Sequence, residues 1–175
     1  MSELRDAIRN VPGFPREGIV FRDVTTLLAD PRAFKRAVDA LVEVTKGERL
    51  HKVVSVEARG FVFGAPLALA HGVGLVPARK PGKLPAATVR EEYQLEYGTD
   101  ALEIHRDAVL PGERVLVVDD LLATGGTAAA AIRLVQQLGG KVVRCAFLIE
   151  LVFLGGRKKL EPIPVTSLIR YDSES

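Results

Sequence analysis

The hydrophobic positions of this chain follow two alternating periods, one typical of strands and one typical of helices. Short apolar runs bounded by polar or turn residues predict strands at 52–57, 74–78, 114–118, 141–150 and 165–170. Apolar residues at helical spacing predict helices near the N-terminus (Leu4, Ile8, Val11), from Asp30–Pro31 to about Gly47, from about Gly60 to His71, and over 128–138. Strands and helices that alternate in this way predict an α/β fold with a central, mostly parallel sheet flanked by helices.

The segment 79–111 interrupts this alternation. It begins with RKPGKLP, whose prolines and glycine resist regular structure. Residues 88–97 then alternate between polar and apolar, and 101–105 could pair back on them as an antiparallel ribbon across a turn at 98–100. Such a ribbon is either a flap over a ligand or a surface hairpin with no further role.

Length, charge and cysteine content exclude several classes of protein. The 175 residues predict one domain over 1–175, and 24 basic against 22 acidic residues, without a long basic run, give no reason to expect nucleic acid as a partner. Glycines, prolines and His71 interrupt the most apolar window, so no membrane span is expected. The single cysteine, Cys145, is expected to be a buried strand residue. The charged N-terminus lacks the apolar core of a signal peptide, which favours the cytoplasm.

The motif VVDDLLATGGT at 117–127 carries the clearest chemistry. It runs from an apolar strand through a glycine turn into the start of an alanine-rich helix. Free backbone N–H groups in the first helical turn, together with the helix dipole, favour a phosphate there. The glycines let the backbone approach the ligand and the threonines add hydroxyl donors, at Thr124, Gly125, Gly126 and Thr127.

Two adjacent carboxylates, Asp119 and Asp120, precede that turn. Because carboxylates repel phosphate, they are expected to face another part of the same ligand, such as sugar hydroxyls, a metal ion or a developing cation. Ribose 5-phosphate chemistry fits this combination. The alternative is an ordinary strand–turn–helix junction with two solvated aspartates.

Two other predicted strand ends carry cations. Arg59 lies in EARGF, directly after the first strand of the predicted parallel sheet, and Arg79, Lys80 and Lys83 follow the second. Ligands of open parallel sheets bind at the carboxyl ends of strands, so these cations are candidates for a polyanion. Alternatively, Glu57 and Arg59 form a surface pair and the basic loop is simply solvated.

The motif at 117–127 resembles the signature of the type I phosphoribosyltransferases, and DLLATGGT resembles its adenine phosphoribosyltransferase form. The segments GIVFRD (18–23), EARGF, RKPGKLP and YQLEYG (93–98) appear in that family's order, with Thr25–Thr26 as a departure where serine–proline is usual. The resemblance implies that AMP and pyrophosphate are made from adenine and 5-phosphoribosyl 1-pyrophosphate (PRPP), with Mg²⁺ bound mainly through PRPP. It also implies a homodimer, a small hood over the base at about 1–30 and a flexible flap at about 80–105.

The resemblance assigns roles to individual residues. For PRPP they are Arg59, Arg79, Lys80, Lys83, Asp119, Asp120, Ala123, Thr124, Gly125, Gly126 and Thr127; for adenine they are Val20, Phe21, Arg22 and Leu121. The catalytic candidates are Arg59, Asp119, Asp120 and Glu96, the last as a proton-transfer group beside Tyr97. In the family the loop of EARGF often contains a cis peptide bond.

Three other functions remain open at this point. A transferase for another purine would keep the phosphate loop and change the hood. A PRPP-binding regulator of the same fold, or a sugar-phosphate-binding module without catalysis, would lack turnover.

Overall fold

The computed structural model describes residues 2–94 and 98–173. The strands are β1 Arg9–Pro12, β2 Val20–Asp23, β3 Lys52–Val56, β4 Gly74–Ala78, β5 Thr88–Gln94, β6 Thr99–His105, β7 Arg114–Leu122, β8 Lys141–Leu151 and β9 Val165–Tyr171. The α-helices are α1 Ser2–Asp6, α2 Thr25–Ala29, α3 Pro31–Thr45, α4 Gly60–His71 and α5 Gly126–Gln137, and short 3₁₀ helices span Val152–Leu154 and Gly156–Leu160.

A parallel sheet forms the centre of the molecule. Over the described residues its strand order is β4-β3-β7-β8-β9, and every neighbouring pair is parallel. Alternate residues of a strand face opposite sides: Val117 packs in a core with α5, whereas Leu116 and Val118 pack in a core with α3 and α4. The predicted α/β fold with a parallel sheet between helices is confirmed.

Local sequence signals explain where the longer helices begin and end. The Asp30 side chain accepts hydrogen bonds from the backbone N–H groups of Arg32 (2.8 Å) and Ala33 (3.4 Å), and proline follows at the first helical position, as predicted. Helix α4 ends at His71, and the next residue, Gly72, has a left-handed conformation (φ +65°) that suits glycine.

The N-terminal helix predicted from Leu4, Ile8 and Val11 is partly wrong. Helix α1 ends at Asp6, and Val11 lies in β1 opposite Phe21 of β2. The antiparallel partner β2 supplies the backbone hydrogen bonds that a longer helix would have supplied, and Pro12 cannot continue a helix. Leu4 and Ile8 are nevertheless buried on the face of the sheet that α3 and α4 cover.

Strand β7 is longer than the apolar run predicted. It continues to Leu122 because its pairing with β8 extends to Glu150. Asp119 and Asp120 are therefore strand residues, and they do not follow the strand as the sequence reading assumed.

The predicted antiparallel ribbon is present as β5 and β6, paired from Thr88 with His105 to Gln94 with Thr99. A bridge between Arg79 and Glu103 joins the ribbon to the segment that follows β4. Leu95, Glu96 and Tyr97 lie outside the described residues. None of the helices described is long and apolar enough to cross a lipid bilayer.

Candidate active site

A crevice opens where the sheet changes its direction of winding. Strand β3 leads outward to β4 on one side, whereas its other neighbour, β7, leads to β8 and β9 on the opposite side. The carboxyl ends of two such strands are the usual ligand site in an open α/β sheet. A cavity of about 350 Å³ lies there, lined by residues 56–59, Lys80, Tyr93 and residues 119–128.

The loop Ala123–Thr127, called the anion loop below, forms one wall of the cavity. Gly125 has a left-handed backbone (φ +80°), which makes the sharp turn from β7 into α5. Helix α5 begins at Gly126, so its first N–H groups and the positive end of its dipole lie at the cavity. All the anion-loop residues named from the sequence line this wall.

Asp119 and Asp120 lie on the floor, where both are largely buried (9% and 5% exposed). The backbone N–H of Asp120 donates to Oδ1 of Asp119 at 2.8 Å. Burial, and then the neighbouring charge of Asp120, raise the pKa of Asp119 well above its ordinary value. The alternative of two solvated aspartates is excluded for this chain.

Helix α4 approaches these carboxylates closely. A methyl group on Gly60 would lie 2.8 Å from Oδ1 of Asp119, so only glycine fits at this position. The preceding Arg59 pairs through Nε with Asp120, and its guanidinium lies 5.4 Å from the centre of the Phe21 ring. Through these two contacts, Arg59 links the carboxylates to the β1–β2 hairpin. The peptide bond between Glu57 and Ala58, in the loop before Arg59, is cis.

Of the basic side chains in the loop after β4, one lies in the cavity and two lie outside it. Lys80 lines the cavity and donates to the hydroxyl of Tyr93 (3.0 Å) and to Asp100 on β6. Burial would lower the pKa of Lys80, but these two hydrogen bonds outweigh it and raise that pKa. Arg79 instead donates to Glu57 at 2.7 Å, and Lys83 is exposed; neither lines the cavity. Glu57 and Arg59 thus pair with different partners and not with each other.

The residues predicted to bind adenine also lie in two places, one in the cavity and the others beside it. Leu121 lines the cavity, whereas Val20, Phe21 and Arg22 belong to β2 beside it. Arg22 is buried: its guanidinium donates to the side-chain oxygen of Asn10 at 2.7 Å and lies 4.0 Å from the centre of the Tyr171 ring. Its side chain therefore holds the β1–β2 hairpin against β9.

Comparison with known proteins agrees with this geometry. Residues 23–168 match the family described as "Phosphoribosyl transferase domain". An adenine phosphoribosyltransferase of Geobacter metallireducens is 57% identical over 171 residues, which are 98% of this chain and 100% of that protein. This chain belongs to the adenine phosphoribosyltransferases.

Solved adenine phosphoribosyltransferases share the whole fold. The enzyme of Thermoanaerobacter pseudethanolicus has a TM-score of 0.95 and 54% identity, over 97% of this chain and 99% of that one. The enzyme of Saccharomyces cerevisiae, crystallised with adenine and an imino-altritol bisphosphate, has a TM-score of 0.90 and 44% identity, over 95% and 97%. The central sheet of this chain therefore has the type I phosphoribosyltransferase fold.

Sequence reasoning missed some residues at this adenine phosphoribosyltransferase site. Tyr93 lines the cavity and Asp100 orients Lys80, yet within YQLEYG only Glu96 had been assigned a role. The period-two alternation of the ribbon was the available signal, because it places Tyr93 on the buried face. Among the described residues, no group of three or more His, Cys, Asp or Glu could hold a metal ion.

Proposed function

We propose that this protein transfers the 5-phosphoribosyl group of PRPP to adenine, forming AMP and pyrophosphate. One observation carries the proposal: an anion loop and two carboxylates share a single cavity at the switch point of the sheet. This combination suits a phosphorylated sugar that develops positive charge during the reaction. Membership of the adenine phosphoribosyltransferases supports adenine as the base over other purines.

The anion loop would hold the 5-phosphate. Backbone N–H groups at the start of α5 and the hydroxyls of Thr124 and Thr127 donate to its oxygens. Anchoring this end of PRPP fixes the anomeric carbon relative to the incoming base. Much of the rate enhancement would therefore come from positioning.

The carboxylates would act on the ribose. Breaking the bond between the anomeric carbon and pyrophosphate leaves positive charge on the ribose, which a carboxylate stabilises. Asp120 pairs with Arg59 in the described structure. When ribose hydroxyls bind Asp120, Arg59 becomes available to the negatively charged leaving group.

Arg59 and Lys80 line the cavity and would face the pyrophosphate. Lys80 already lies at the cavity, whereas Arg79 and Lys83 would join it by movement of their loop. In the part of the chain that the structure describes, Asp119 and Asp120 have no third acidic, histidine or cysteine ligand beside them, which suits Mg²⁺ that is held mainly by substrate phosphates. Bound in this way, Mg²⁺ would supply neutralisation of the leaving-group charge.

The base would bind between the β1–β2 hairpin and Leu121. In this proposal the hairpin belongs to the hood (about 1–30). The carbonyl oxygen of Val20 accepts a hydrogen bond from the amino group of adenine, and the backbone N–H of Arg22 donates one to the edge of the ring. The side chain of Phe21 covers the ring. The β5–β6 ribbon belongs to the flap (about 80–105). Glu96, which follows β5 in the chain, would transfer the ring proton as the new bond forms.

We further infer a homodimer built on α4 and β4. Helix α4 contains no Asp, Glu, Lys or Arg, yet Leu69 on it is 82% exposed. Beside it, β4 is the edge strand of the sheet and leaves Leu75 partly exposed. A second copy would cover this apolar face and lie next to the loop carrying Arg79.

We place the enzyme in the cytoplasm, in keeping with a lone, buried thiol at Cys145.

The test is AMP formation from adenine, PRPP and Mg²⁺, with hypoxanthine and guanine assayed in parallel. Turnover with adenine alone is expected. Turnover with hypoxanthine or guanine at a similar rate would contradict the choice of base. Binding of PRPP without turnover of any base would instead support a regulator or a non-catalytic binding module.

A further inference from the structure

The anion loop is supported from behind by a tight contact between two glycines. A methyl group on Gly156 would lie 2.1 Å from the carbonyl oxygen of Ala123 and 2.8 Å from the backbone nitrogen of Gly125. Conversely, a methyl group on Gly125 would lie 2.4 Å from the carbonyl oxygen of Gly156. The two backbones touch with no room for a side chain, so a displacement of Gly156 must displace the loop.

An ion pair fixes the position of Gly156. The next residue, Arg157, donates through Nε (2.9 Å) and Nη2 (2.5 Å) to the two carboxylate oxygens of Glu150, and through Nη1 to the carbonyl oxygen of Val165 (2.6 Å). Paired donors of this kind fix direction as well as distance. The segment is thereby tied to β8 and to the start of β9.

Glu150 is a rigid anchor for that ion pair. It is 3% exposed near the end of β8, and the hydroxyl of Ser167 donates to it at 2.5 Å. Burial would raise the pKa of Glu150, but hydrogen bonds from Arg157 and Ser167 outweigh it and hold that pKa below its ordinary value. The carboxylate therefore stays charged at neutral pH, and the pair stays intact.

We propose that Glu150 and Arg157 are positioning residues for the phosphoribosyl donor: through Gly156 they hold the anion loop in its phosphate-binding shape. Neither residue lines the cavity, so neither is expected to touch the substrate. The inference rests on the proposed function, because it assigns the 5-phosphate of PRPP to the anion loop. In this proposal, residues at the ends of β3 and β7 line the cavity, and residues of β8 and β9 support the anion loop from outside the cavity.

The test compares Arg157→Met with Arg157→Lys and with Lys158→Met. Methionine keeps much of the length of arginine but loses every donor, lysine keeps the charge but loses the paired geometry, and the neighbouring Lys158 is an exposed control. Steady-state kinetics would give kcat and KM separately for PRPP and adenine, titration calorimetry would give the affinity for ribose 5-phosphate, and thermal unfolding would report folding.

Arg157→Met is expected to lower kcat/KM for PRPP by about tenfold to a hundredfold, since a displacement of about 1 Å can cost about 10²-fold. Affinity for ribose 5-phosphate should fall in parallel, KM for adenine should stay within about twofold, and Arg157→Lys should recover part of the loss. Lys158→Met should match the wild type. A lower unfolding temperature with unchanged PRPP and ribose 5-phosphate parameters would overturn the proposal, because Arg157 would then only stabilise the fold.

The same experiment separates this inference from the proposed function. If the wild type binds ribose 5-phosphate but makes no AMP, the enzymatic function fails, and the calorimetric comparison of the variants still decides whether Arg157 positions the loop. If the wild type makes AMP and Arg157→Met keeps the same kcat/KM for PRPP, only the positioning role is wrong. A double variant with Glu150→Gln should lose little more than Arg157→Met alone if the two residues act as a unit.

Discussion

Asp119 and Asp120 are chain neighbours in different electrostatic surroundings. Asp120 is paired with the guanidinium of Arg59, whereas burial and the charge of Asp120 push Asp119 toward its neutral form. A fixed cation therefore faces the charge of Asp120, whereas burial opposes a charge on Asp119. Asp119 contributes chiefly an acceptor that fixes the backbone of Asp120.

This difference predicts unequal effects of the two isosteric substitutions. Asp120→Asn should lower kcat about 10²–10³-fold, because it removes a fixed charge from beside the developing cation. Asp119→Asn should cost less, and ribose 5-phosphate binding should partly persist in both variants because the anion loop is unchanged. Steady-state kinetics and calorimetry measure these quantities, and equal losses of kcat would contradict the division of roles.

Asp23 offers a pH-dependent test at the base of the hairpin. Its carboxylate accepts hydrogen bonds from the backbone N–H of Thr25 (2.9 Å) and from Arg9 (2.6 and 3.0 Å), and these lower its pKa to about 2. A carboxyl whose pKa is lower in the folded chain stabilises the fold above the unfolded value, near 3.9, and that contribution disappears as pH falls through about 2.

Asp23→Ala should therefore lower the free energy of unfolding at pH 7 by about 1 kcal/mol, and less as the pH falls from about 4 to 2. Urea unfolding across this range measures the difference. Asp39→Ala, which removes an exposed partner of Lys35 on α3, is the control and should change stability by less than about 0.5 kcal/mol. A constant difference between Asp23→Ala and the wild type at all pH values would show that ionisation of Asp23 is not involved.

At the scale of elements, glycine sets how closely α4 approaches β3. A methyl group on Gly64 would lie 2.3 Å from Oγ and 2.5 Å from Cβ of Ser55. Cβ of Ser55 is bonded directly to the strand backbone, so no rotation of the serine side chain can relieve its clash with the new methyl group. The same helix carries Arg59 at its N-terminal end, so its distance from the sheet also sets the width of the cavity.

Gly64→Ala should destabilise the protein by about 1–3 kcal/mol, as overpacking does in a filled core. The matched control is Gly74→Ala, where the new methyl group would meet only the flexible side chain of Lys52 at 3.3 Å. Denaturant midpoints at constant m-value measure both variants. Equal stability of the two would mean that the sheet accommodates the displaced helix.

The elements themselves were largely predictable, and the failures have physical causes. The cap at Asp30 and the glycine turn at Gly125 are local signals that act within a few residues, so the sequence revealed them. Val11 was assigned to a helix because it follows Leu4 and Ile8 at helical spacing, a local pattern that carries no information about its pairing with Phe21. The end of β7 was placed too early because polarity at Asp119 suggested a loop, whereas pairing with β8 decides where the strand ends.

The site was predictable to the same degree. Residues of the anion loop are contiguous, and all of them line the cavity. The partners of the cations were not predictable: Arg59 meets Asp120, Lys80 meets Asp100, and Arg79 meets Glu57, each through contacts that depend on the folded sheet. Gly156 carried no signal in the sequence, since its contact with Gly125 exists only after β8 has returned to the loop.

For the whole molecule, the exposed apolar face of α4 predicts association. The wild type should sediment at twice the mass of the 18.9 kDa chain, and Leu69→Asp should shift it to the monomer, because burying an unpaired charge in an apolar interface is costly. Leu110→Asp is the control, since Leu110 is also exposed (60%) but lies in the segment before β7. A monomeric wild type, or dissociation by both variants, would refute an interface on α4.

The order of the strands in the chain also affects how the protein can fold during its synthesis. Arg59 and Asp120, which face each other at the cavity, are 61 positions apart in the chain. A nascent chain that ends before residue 114 contains β3, β4 and the ribbon but lacks the strand that carries the opposite wall. Such a chain has no place to capture a phosphorylated sugar. The ligand therefore cannot guide early folding on the ribosome, and it stabilises only chains that already contain β7 and the anion loop.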